Sequence, residues 1–340
     1  MVATIRPETI SHRRLPLNFR ENQIDLFSHE LERVIPVSRL LEFKGVRVSS
    51  EGILFQGLKI LAESFAFPWQ LKEWKLRSVV KFMVTNHFFR RTRVVDTPVL
   101  WVTDHWSKGY FHWLTDVLTR LFVVRDKLGE FVLMLPWEYQ TQDVVKSSLR
   151  AFNVDAVDFI HRNEVLECRR LLLPTHTAPS GNYNEEIIQG VRNILVSSYG
   201  ASNKPGNKRI YISRSGAAKR RITNEAEVVK VLNRFEFETI HAEELSFEQQ
   251  VEISSQARYL VSNHGAGLTN MLFMREGASV LELRHQDDRT NNCYFALCSA
   301  LNLNYFYQTC QPVNEADPHT ADLFVDPAAL EKNLSLLLAG

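Results

Sequence analysis

Short apolar runs alternate with segments of helical periodicity along most of the chain, a pattern typical of a parallel sheet covered by helices on both faces. In the first half, the predicted strands cover residues 99–102, 131–135, 156–160 and 171–173, and a predicted helix covers residues 110–124. The apolar runs before residue 75 are shorter and are separated by Gly52 and Gly57. They predict β-hairpins or strands at one edge of a sheet.

The second half has a more regular strand–helix rhythm. Its predicted strands cover residues 210–213, 237–240, 259–262, 280–283 and 305–308, and its predicted helices cover residues 185–198, 224–233, 246–256, 266–274 and 326–338. Asn224 with Glu227, and Ser246 with Gln249, have the spacing of helix caps in which the two residues bond each other's backbone. The pattern therefore predicts an α/β fold throughout.

Residues 174–184, rich in proline, serine, glycine and asparagine, are the predicted domain boundary. A chain of 340 residues is expected to form two domains, because a single core stops growing at about 250–300 residues. We expect an N-terminal α/β domain over residues 1–180, a second over 181–325 and a terminal helix over 326–340. The polar loop 200–208 is predicted to be mobile.

Composition excludes several classes of protein. The chain has 40 basic and 39 acidic residues and a net charge of +1, so no global field favours nucleic acid as a partner. It has neither a run of ~20 apolar residues nor the apolar centre of a signal peptide. Its four cysteines form no CxxC pair, which argues against structural zinc. We expect a cytoplasmic protein with no metal and no cofactor, and peripheral association with the inner face of a membrane stays open.

The segment 259–274, YLVSNHGAGLTNMLFM, predicts a phosphate-binding turn. An apolar strand leads directly into His264, Gly265, Ala266 and Gly267, and a helix follows. Glycines allow a ligand to approach the backbone, and the free N–H groups of a helix start favour an anion. The alternative is a tight turn whose glycines serve packing only, with His264 structural and Asn270 a cap or a solvated side chain.

The preceding strand ends in a second basic segment, RIYISRSGAAKRR, over residues 209–221. Cations at the end of a strand suit a diphosphate whose charge grows as a bond breaks. Arg214 lies at the strand end itself, so Arg214 and Lys219 are preferred to Arg220 as residues that bind the diphosphate. The alternative is a solvated basic loop.

His112 and Asp116 lie four residues apart on the predicted helix 110–124, and therefore on one face. A carboxylate that orients an imidazole is suited to a general base, and His112 is the preferred base with Asp116 as its orienter or as an acceptor ligand. The alternative is an ordinary surface pair of Asp116 with Arg120 and a surface His112. His105 and three tryptophans, Trp101, Trp106 and Trp113, either line the acceptor side or pack in the core.

Two segments, YISRSGAAKRRITNEAEV and ELSFEQQVEISSQARYLVSNHGAGLTNMLFMREGASVLEL, resemble the family 61 glycosyltransferases. The resemblance is strong over about residues 205–285, weaker at GYFHWLTDVLTRL (109–121), and absent over residues 1–95. Arg214 matches the arginine of the family's SR element. His264, Gly265, Ala266 and Asn270 match its HGA-x-x-x-N turn, and Glu282 matches the acidic residue of its V-x-E strand end. The resemblance implies that Glu282 bonds ribose or sugar hydroxyls; the alternative is a salt bridge with Arg284.

The resemblance implies a GT-B fold, in which two Rossmann-like domains face each other across a cleft and a C-terminal helix crosses back. It further implies an inverting, metal-independent transfer from a nucleotide-diphosphate sugar. We expect the donor to be a UDP-sugar and the acceptor to be a glycan or glycolipid hydroxyl, and the lack of a secretory segment favours a role in cell-surface polysaccharide synthesis. The chain agrees in having no DxD motif, since Asp287 and Asp288 are adjacent. The alternatives are a catalytically inactive protein that binds nucleotide sugars and, less favoured, a hydrolase with paired carboxylates.

Overall fold

The computed structural model describes residues 2–201, 206–313 and 317–339, so part of the predicted loop 200–208 lies outside the described residues. The chain divides into two compact units, Met1–Thr9 with Ile35–Ser180 and Ile10–Val34 with Gly181–Gly340. The sequence placed residues 10–34 in the first domain, whereas they belong to the second unit. The reason is aromatic packing: the ring centroid of Phe27 lies 5.0 Å from that of Phe295 and 4.9 Å from that of Tyr307.

Strands are numbered along the chain. Those before residue 175 are β1 (Val2–Arg6), β2 (Thr9–His12), β3 (Glu32–Ile35), β4 (Ser38–Ser49), β5 (Leu54–Gln56), β6 (Lys59–Ile60), β7 (Arg91–Val95), β8 (Val99–Leu100), β9 (Val132–Pro136), β10 (Val157–Ile160) and β11 (Glu164–Pro174). The helices of the same region are α1 (Leu76–Val84), α2 (Tyr110–His112), α3 (Leu118–Phe122) and α4 (Asp143–Ala151).

The main sheet of the first unit has the order β10-β9-β8-β11-β4-β5-β6, with β1 on β4 and β7 on β11. Strands β8 to β11 pair in parallel, as predicted, and β11 extends well beyond its predicted residues 171–173. The predicted hairpins at one edge are confirmed, since β4, β5 and β6 pair antiparallel. Their turns contain Gly52 and Gly57, whose φ values of +85° and +53° favour glycine.

The predicted helix 110–124 is three consecutive helical segments. A π-helical turn, Trp113–Val117, joins α2 to α3. Single π-turns inside helices are rare and occur frequently at functional sites. Helices α1 and α4 were not among the predicted elements.

The second unit follows the predicted rhythm closely. Its elements are α5 (Glu185–Tyr199), β12 (Lys208–Ile212), α6 (Glu225–Arg234), β13 (Glu238–Ile240), α7 (Phe247–Ser255), β14 (Ala257–Asn263), β15 (Ser279–His285), α8 (Cys293–Ala300), β16 (Asn304–Pro312), β17 (Leu323–Phe324) and α9 (Pro327–Ala339). The sheet order is β13-β12-β14-β15-β16-β17, and the first five strands are parallel. Both faces of this mixed α/β unit are covered by helices, as buried parallel strands require.

Three details of the second unit differ from the sequence prediction. The segment after β14 is a 3₁₀ helix, Ala266–Phe273, and not an α-helix. Helix α8 is apolar throughout and had no periodicity to reveal it. Helix α9 was expected to cross back, but it belongs to the second unit and packs on α6, β15 and β16. Its Leu330, Leu334 and Leu337 complete that unit's hydrophobic core, which explains this placement.

The two predicted caps had different outcomes. Ser246 and Gln249 form the expected reciprocal cap of α7. Asn224 precedes α6 but makes no cap bond with its side chain. Its amide instead donates to the carbonyl of Val325 at 2.8 Å and accepts from the same residue's N–H at 3.1 Å. A tertiary contact therefore replaces the local cap.

Candidate active site

The strand order of the second unit creates a crevice at its carboxyl end. The chain runs from β12 to β13 on one side and then returns to β14 on the other side of β12. The connection after β12 therefore leads to one side of the sheet and the connection after β14 to the other. The place between β12 and β14 is a topological switch point, where ligands of open α/β sheets bind. Arg214 follows β12, and His264 with Gly265 follows β14. The topology brings the two predicted phosphate-binding segments together.

Arg214 is held at this switch point by the backbone turn beside it. A Cβ on residue 265 would lie 2.4 Å from Nη1 of Arg214, so the guanidinium packs against Gly265 and would have to move if residue 265 had a side chain. Nη2 donates to the carbonyl of Lys219 at 3.4 Å, while Nε is buried without a hydrogen-bond partner among the described residues. Arg214 therefore keeps donor capacity for a ligand.

A second guanidinium adds to the positive charge of this crevice. Burial, and after it the nearby Arg220, lower the pKa of Arg214 from its ordinary value. Such repulsion between like charges is relieved by an anion. Arg220 is half-buried with φ +57°, and the amide of Asn263 at the end of β14 bonds its carbonyl. Lys219 is exposed. The sequence ranked Arg220 below Lys219, but Arg220 is the one whose charge acts on Arg214. The loop conformation, and no sequence pattern, reveals this.

The turn itself presents backbone amides. The first hydrogen bond of the 3₁₀ helix runs from the N–H of Leu268 to the carbonyl of Gly265 at 2.9 Å. Ala266 and Gly267 precede that bond and are partly exposed, so their N–H groups open the helix without an intrahelical partner. Gly267 also has a packing role, because a Cβ there would lie 2.8 Å from Cγ2 of Ile212 in β12. The packing interpretation therefore applies to Gly267, and ligand binding at the exposed start of the helix stays a prediction.

His264 lies in a buried polar network and is not a free surface side chain. Its Nδ1 bonds Oε1 of Glu282, and the other carboxylate oxygen accepts from the hydroxyl of Tyr305. Because a carboxylate only accepts, Nδ1 carries the proton. The His264 ring also packs edge-on against Tyr294, at 4.9 Å between centroids. The network holds the imidazole in one orientation beside the turn.

Glu282 is almost fully buried in the structure, and both its oxygens are occupied. Burial acts to raise its pKa, but the charge and hydrogen bond of His264 hold the pKa below its ordinary value. Arg284, the alternative partner, instead donates to Asn292 at 2.9 Å and to the carbonyl of Asp288 at 2.7 Å. The observed partners of Glu282 are therefore His264 and Tyr305.

Asn270 is also buried, and so is neither solvated nor a simple cap. Its amide donates to the carbonyl of Gly267 at 3.1 Å and to Oε1 of Gln250 at 3.3 Å. These bonds connect the 3₁₀ helix to α7 and stabilise the start of the turn.

In the first unit, His112 and Asp116 form a bonded pair at the π-helical turn. Nδ1 of His112 lies 2.8 Å from Oδ2 of Asp116, and the hydroxyl of Ser180 donates to the same oxygen at 2.8 Å. The side chain of Asp116 is 4% exposed and that of His112 is 23% exposed. Because the carboxylate holds the proton on Nδ1, Nε2 is left as the proton acceptor. Sequence reasoning missed Ser180.

The surface-pair alternative for Asp116 is wrong. Arg120 is buried, and its Nη2 donates to Oδ2 of Asp104 at 2.6 Å, while its Nε bonds only the backbone carbonyl of Asp116, at 3.1 Å. Nε2 of His176 lies 2.9 Å from the same Asp104 oxygen. Burial acts to raise the pKa of Asp104, but Arg120 and His176 hold it well below the ordinary value. A buried ion cluster therefore supports the helix that carries the pair.

Of the candidate acceptor-side aromatics, Trp101 and Trp113 are fully buried and serve the core. Trp106 is partly exposed, with its ring 5.2 Å from that of His112, and His105 is exposed. Among residues 2–201, 206–313 and 317–339, no cluster of three histidine, cysteine or acidic side chains is arranged to hold a metal ion. Within the same ranges, no helix is both long enough and apolar enough to cross a bilayer.

Comparison with known proteins gives a family match that contains most of the candidate site residues. A family model described as glycosyltransferase 61 matches residues 110–281. The EGF domain-specific O-linked N-acetylglucosamine transferase of Drosophila melanogaster is 30% identical over 243 residues, which are 62% of this chain and 45% of that protein. The mouse protein of the same name is 32% identical over 107 residues, 30% of this chain and 20% of the relative.

A further relative is the protein O-linked-mannose β-1,4-N-acetylglucosaminyltransferase 2 of Danio rerio, which is 43% identical over 68 residues. These residues make up 19% of this chain and 12% of the zebrafish protein. This chain thus spans less than half the length of each of these three curated relatives.

Proposed function

The chain belongs to glycosyltransferase family 61, and from that premise we propose that it transfers a sugar from a nucleotide-diphosphate donor to an acceptor hydroxyl. The observation that carries the proposal is the switch-point crevice, where Arg214, Arg220 and the first amides of the 3₁₀ helix Ala266–Phe273 converge. Two guanidiniums and free N–H groups match the charge and the acceptor oxygens of a diphosphate. Lys219 is close in sequence and, being exposed, extends the same positive charge.

UDP is the proposed nucleotide. The relatives are named N-acetylglucosamine transferases, which makes UDP-N-acetylglucosamine the first donor to examine. Glu282 contributes through His264, which it orients, and Asn270 contributes by bracing the turn. For Glu282 or Asn270 to bond the donor directly, each side chain would have to give up its present hydrogen bonds.

The proposed reaction is an inverting displacement. The acceptor oxygen forms a bond to the anomeric carbon as the bond from that carbon to the diphosphate breaks, and the leaving electron pair moves to the diphosphate oxygen. Nε2 of His112 takes the acceptor proton, while Asp116 holds the imidazole and stabilises the cation that forms. Arg214 and Arg220 stabilise the charge that grows on the leaving diphosphate.

The wider assignment is also a proposal: a GT-B enzyme that needs no metal and builds cell-surface polysaccharide on a glycan or glycolipid acceptor. Parallel strands in both units and the family match support the fold assignment. Retention of turnover after chelation of divalent cations with EDTA is the direct test of metal independence.

A donor screen that measures diphosphate release tests the function as a whole. We expect release of UDP from at least one UDP-sugar, faster in the presence of an oligosaccharide acceptor, and loss of release in His112→Ala. Binding of UDP without turnover on any donor would instead identify a nucleotide-sugar-binding protein that has lost catalysis. Absence of UDP binding at millimolar concentration would contradict both assignments.

A further inference from the structure

Helix α1 carries apolar side chains on a face that no other described residue covers. Its inner side is anchored in the first unit, where Met83, Val79 and Phe82 join a cluster with Ile53 and Phe65. The outer side continues into the π-helical segment Thr85–Phe89. Its exposed apolar residues are Leu76 (79%), Val80 (53%), Val84 (41%), Phe88 (79%) and Phe89 (78%).

Three of these residues lie on one side of the helix, and the two phenylalanines follow at its C-terminal end. Leu76, Val80 and Val84 are spaced by four, which places them on one side of the helix. The turn between β5 and β6 extends the surface, because Nε2 of His87 lies 3.0 Å from the carbonyl of Gly57 and the next residue, Leu58, is 79% exposed. Contiguous exposed apolar surface of this kind marks an interaction site.

The exposed charges along this segment are mainly basic. The exposed basic side chains between residues 72 and 91 are Lys72, Lys75, Arg77, Lys81 and Arg91, and Glu73 is the exposed acidic one. Arg90 is paired with Glu51, so it does not add a free charge. We refer to the five exposed apolar side chains and these five basic ones as the α1 patch.

We propose that the α1 patch docks the protein on the surface of an anionic lipid bilayer. An interfacial helix buries an apolar face at the boundary of headgroups and acyl chains while lysine and arginine contact the lipid phosphates. Phe88 and Phe89 supply the deepest apolar contact. Helix α1 has nine residues, far fewer than the ~20 that cross a bilayer, so the patch lies on the membrane and does not span it.

The charge pattern selects a bilayer over a second copy of this chain. A symmetric dimer through the patch would place two like-charged basic surfaces against each other, which is unfavourable, whereas a bilayer rich in acidic lipids complements them. This inference rests on the patch alone and does not depend on the proposed transfer reaction.

The test is cosedimentation of the full chain with vesicles of phosphatidylcholine, with or without added phosphatidylglycerol. We expect binding to the anionic vesicles and much weaker binding to the neutral ones. Each basic residue near such a surface contributes about fivefold in affinity, so Lys75→Glu/Lys81→Glu is expected to weaken binding by roughly 25-fold or more. Phe88→Ser/Phe89→Ser is expected to weaken it by a comparable or larger factor.

Matched controls are Lys230→Glu and Leu336→Ser, which alter an exposed lysine and an exposed leucine on helices of the second unit. Both are expected to bind like the unaltered protein, and far-ultraviolet circular dichroism verifies that all variants are folded. Failure of the unaltered protein to bind anionic vesicles overturns the proposal. So does equal binding by the patch variants and the controls. A third outcome also overturns the proposal: the unaltered protein is a dimer by light scattering, Phe88→Ser/Phe89→Ser is a monomer, and neither binds vesicles. This result would assign the patch to self-association.

Discussion

The guanidinium of Arg214 packs against the backbone of Gly265, so closely that any β-carbon at position 265 would collide with its Nη1. The two residues come from different strand ends, β12 and β14, which are neighbours because the chain returns past β12 after forming β13. The glycine thus holds a cation at the switch point of the sheet as well as permitting a tight turn.

Gly265→Ala is expected to weaken UDP binding by displacing Arg214, and Arg214→Ala is expected to weaken it by roughly 10- to 100-fold, the range for charge-assisted hydrogen bonds. Since both changes act through one guanidinium, the double variant should be no worse than Arg214→Ala alone. Titration calorimetry measures all three. Arg234→Ala, which removes a surface arginine paired with Glu331, is the control. Additive losses would mean that Gly265 acts independently of Arg214.

His112→Gln is expected to lower kcat by about 10²- to 10⁴-fold, because it removes the proton acceptor while keeping a polar side chain of similar size. The dissociation constant for UDP should not change, since the donor contacts are assigned to other residues. The control is His161→Gln, which alters an exposed histidine of the same unit. Unchanged kcat in His112→Gln would remove this residue from the mechanism.

Asp104→Asn is expected to destabilise the first unit by about 3–5 kcal/mol at pH 7, because Arg120 would remain buried without its carboxylate. The folded-state pKa of Asp104 lies below its ordinary value of 3.8, so its stabilisation is present above that pH and is lost as the pH falls through the folded-state pKa. Unfolding of the unaltered protein should therefore become easier from about pH 5 downward, and more steeply than in the variant.

Tryptophan fluorescence measures this unfolding, because all six tryptophans lie between residues 69 and 137 in the first unit. Denaturant titrations at neutral and acidic pH give the free energy of unfolding at each pH. The difference is the pH slope of stability, which is compared between the unaltered protein and Asp104→Asn. Asp126→Asn, at a side chain that is 89% exposed, is the control and should leave both stability and slope nearly unchanged. Equal pH slopes for Asp104→Asn and the unaltered protein would contradict the role of the buried cluster.

Gly267→Ala is expected to cost about 1–3 kcal/mol of stability, the usual range for overpacking, because its new methyl group would press on Ile212 in the adjacent strand. Gly129→Ala is the matched control, since no heavy atom lies within 4 Å of a Cβ built there. Thermal unfolding followed by circular dichroism compares the two. A stable Gly267→Ala variant with normal UDP binding would show that the helix start adjusts freely.

The sequence predicted elements well where local pattern and local chemistry agree. Alternating strands and helices of the second unit, and the reciprocal cap of Ser246 and Gln249, depend on residues close in the chain. Asn224 failed as a cap because Val325, about a hundred residues away, provides better partners for its side chain. Helix α8 was not predicted because most of its residues are apolar and buried, so its sequence shows no alternation of polar and apolar faces.

The same distinction applies to the site. The turn from His264 to Gly267 and the pair of His112 with Asp116 were visible as short motifs. The position of Arg220 near Arg214 depends on a loop conformation with positive φ, which no sequence motif encodes. Ser180 was missed because it is distant in sequence from Asp116. The bond of Tyr305 to Glu282 depends on two neighbouring strands, a relation that no local pattern encodes.

The membership of residues 10–34 in the second unit has a practical consequence for dissecting the molecule. A fragment that begins at residue 181 would lack Phe27, and the rings of Phe295 and Tyr307 would lose the aromatic neighbour that they contact. Such a fragment would expose part of its own core and tend to aggregate. Dissection of the second unit therefore calls for a polypeptide in which residues 10–34 are joined by a linker to residue 181.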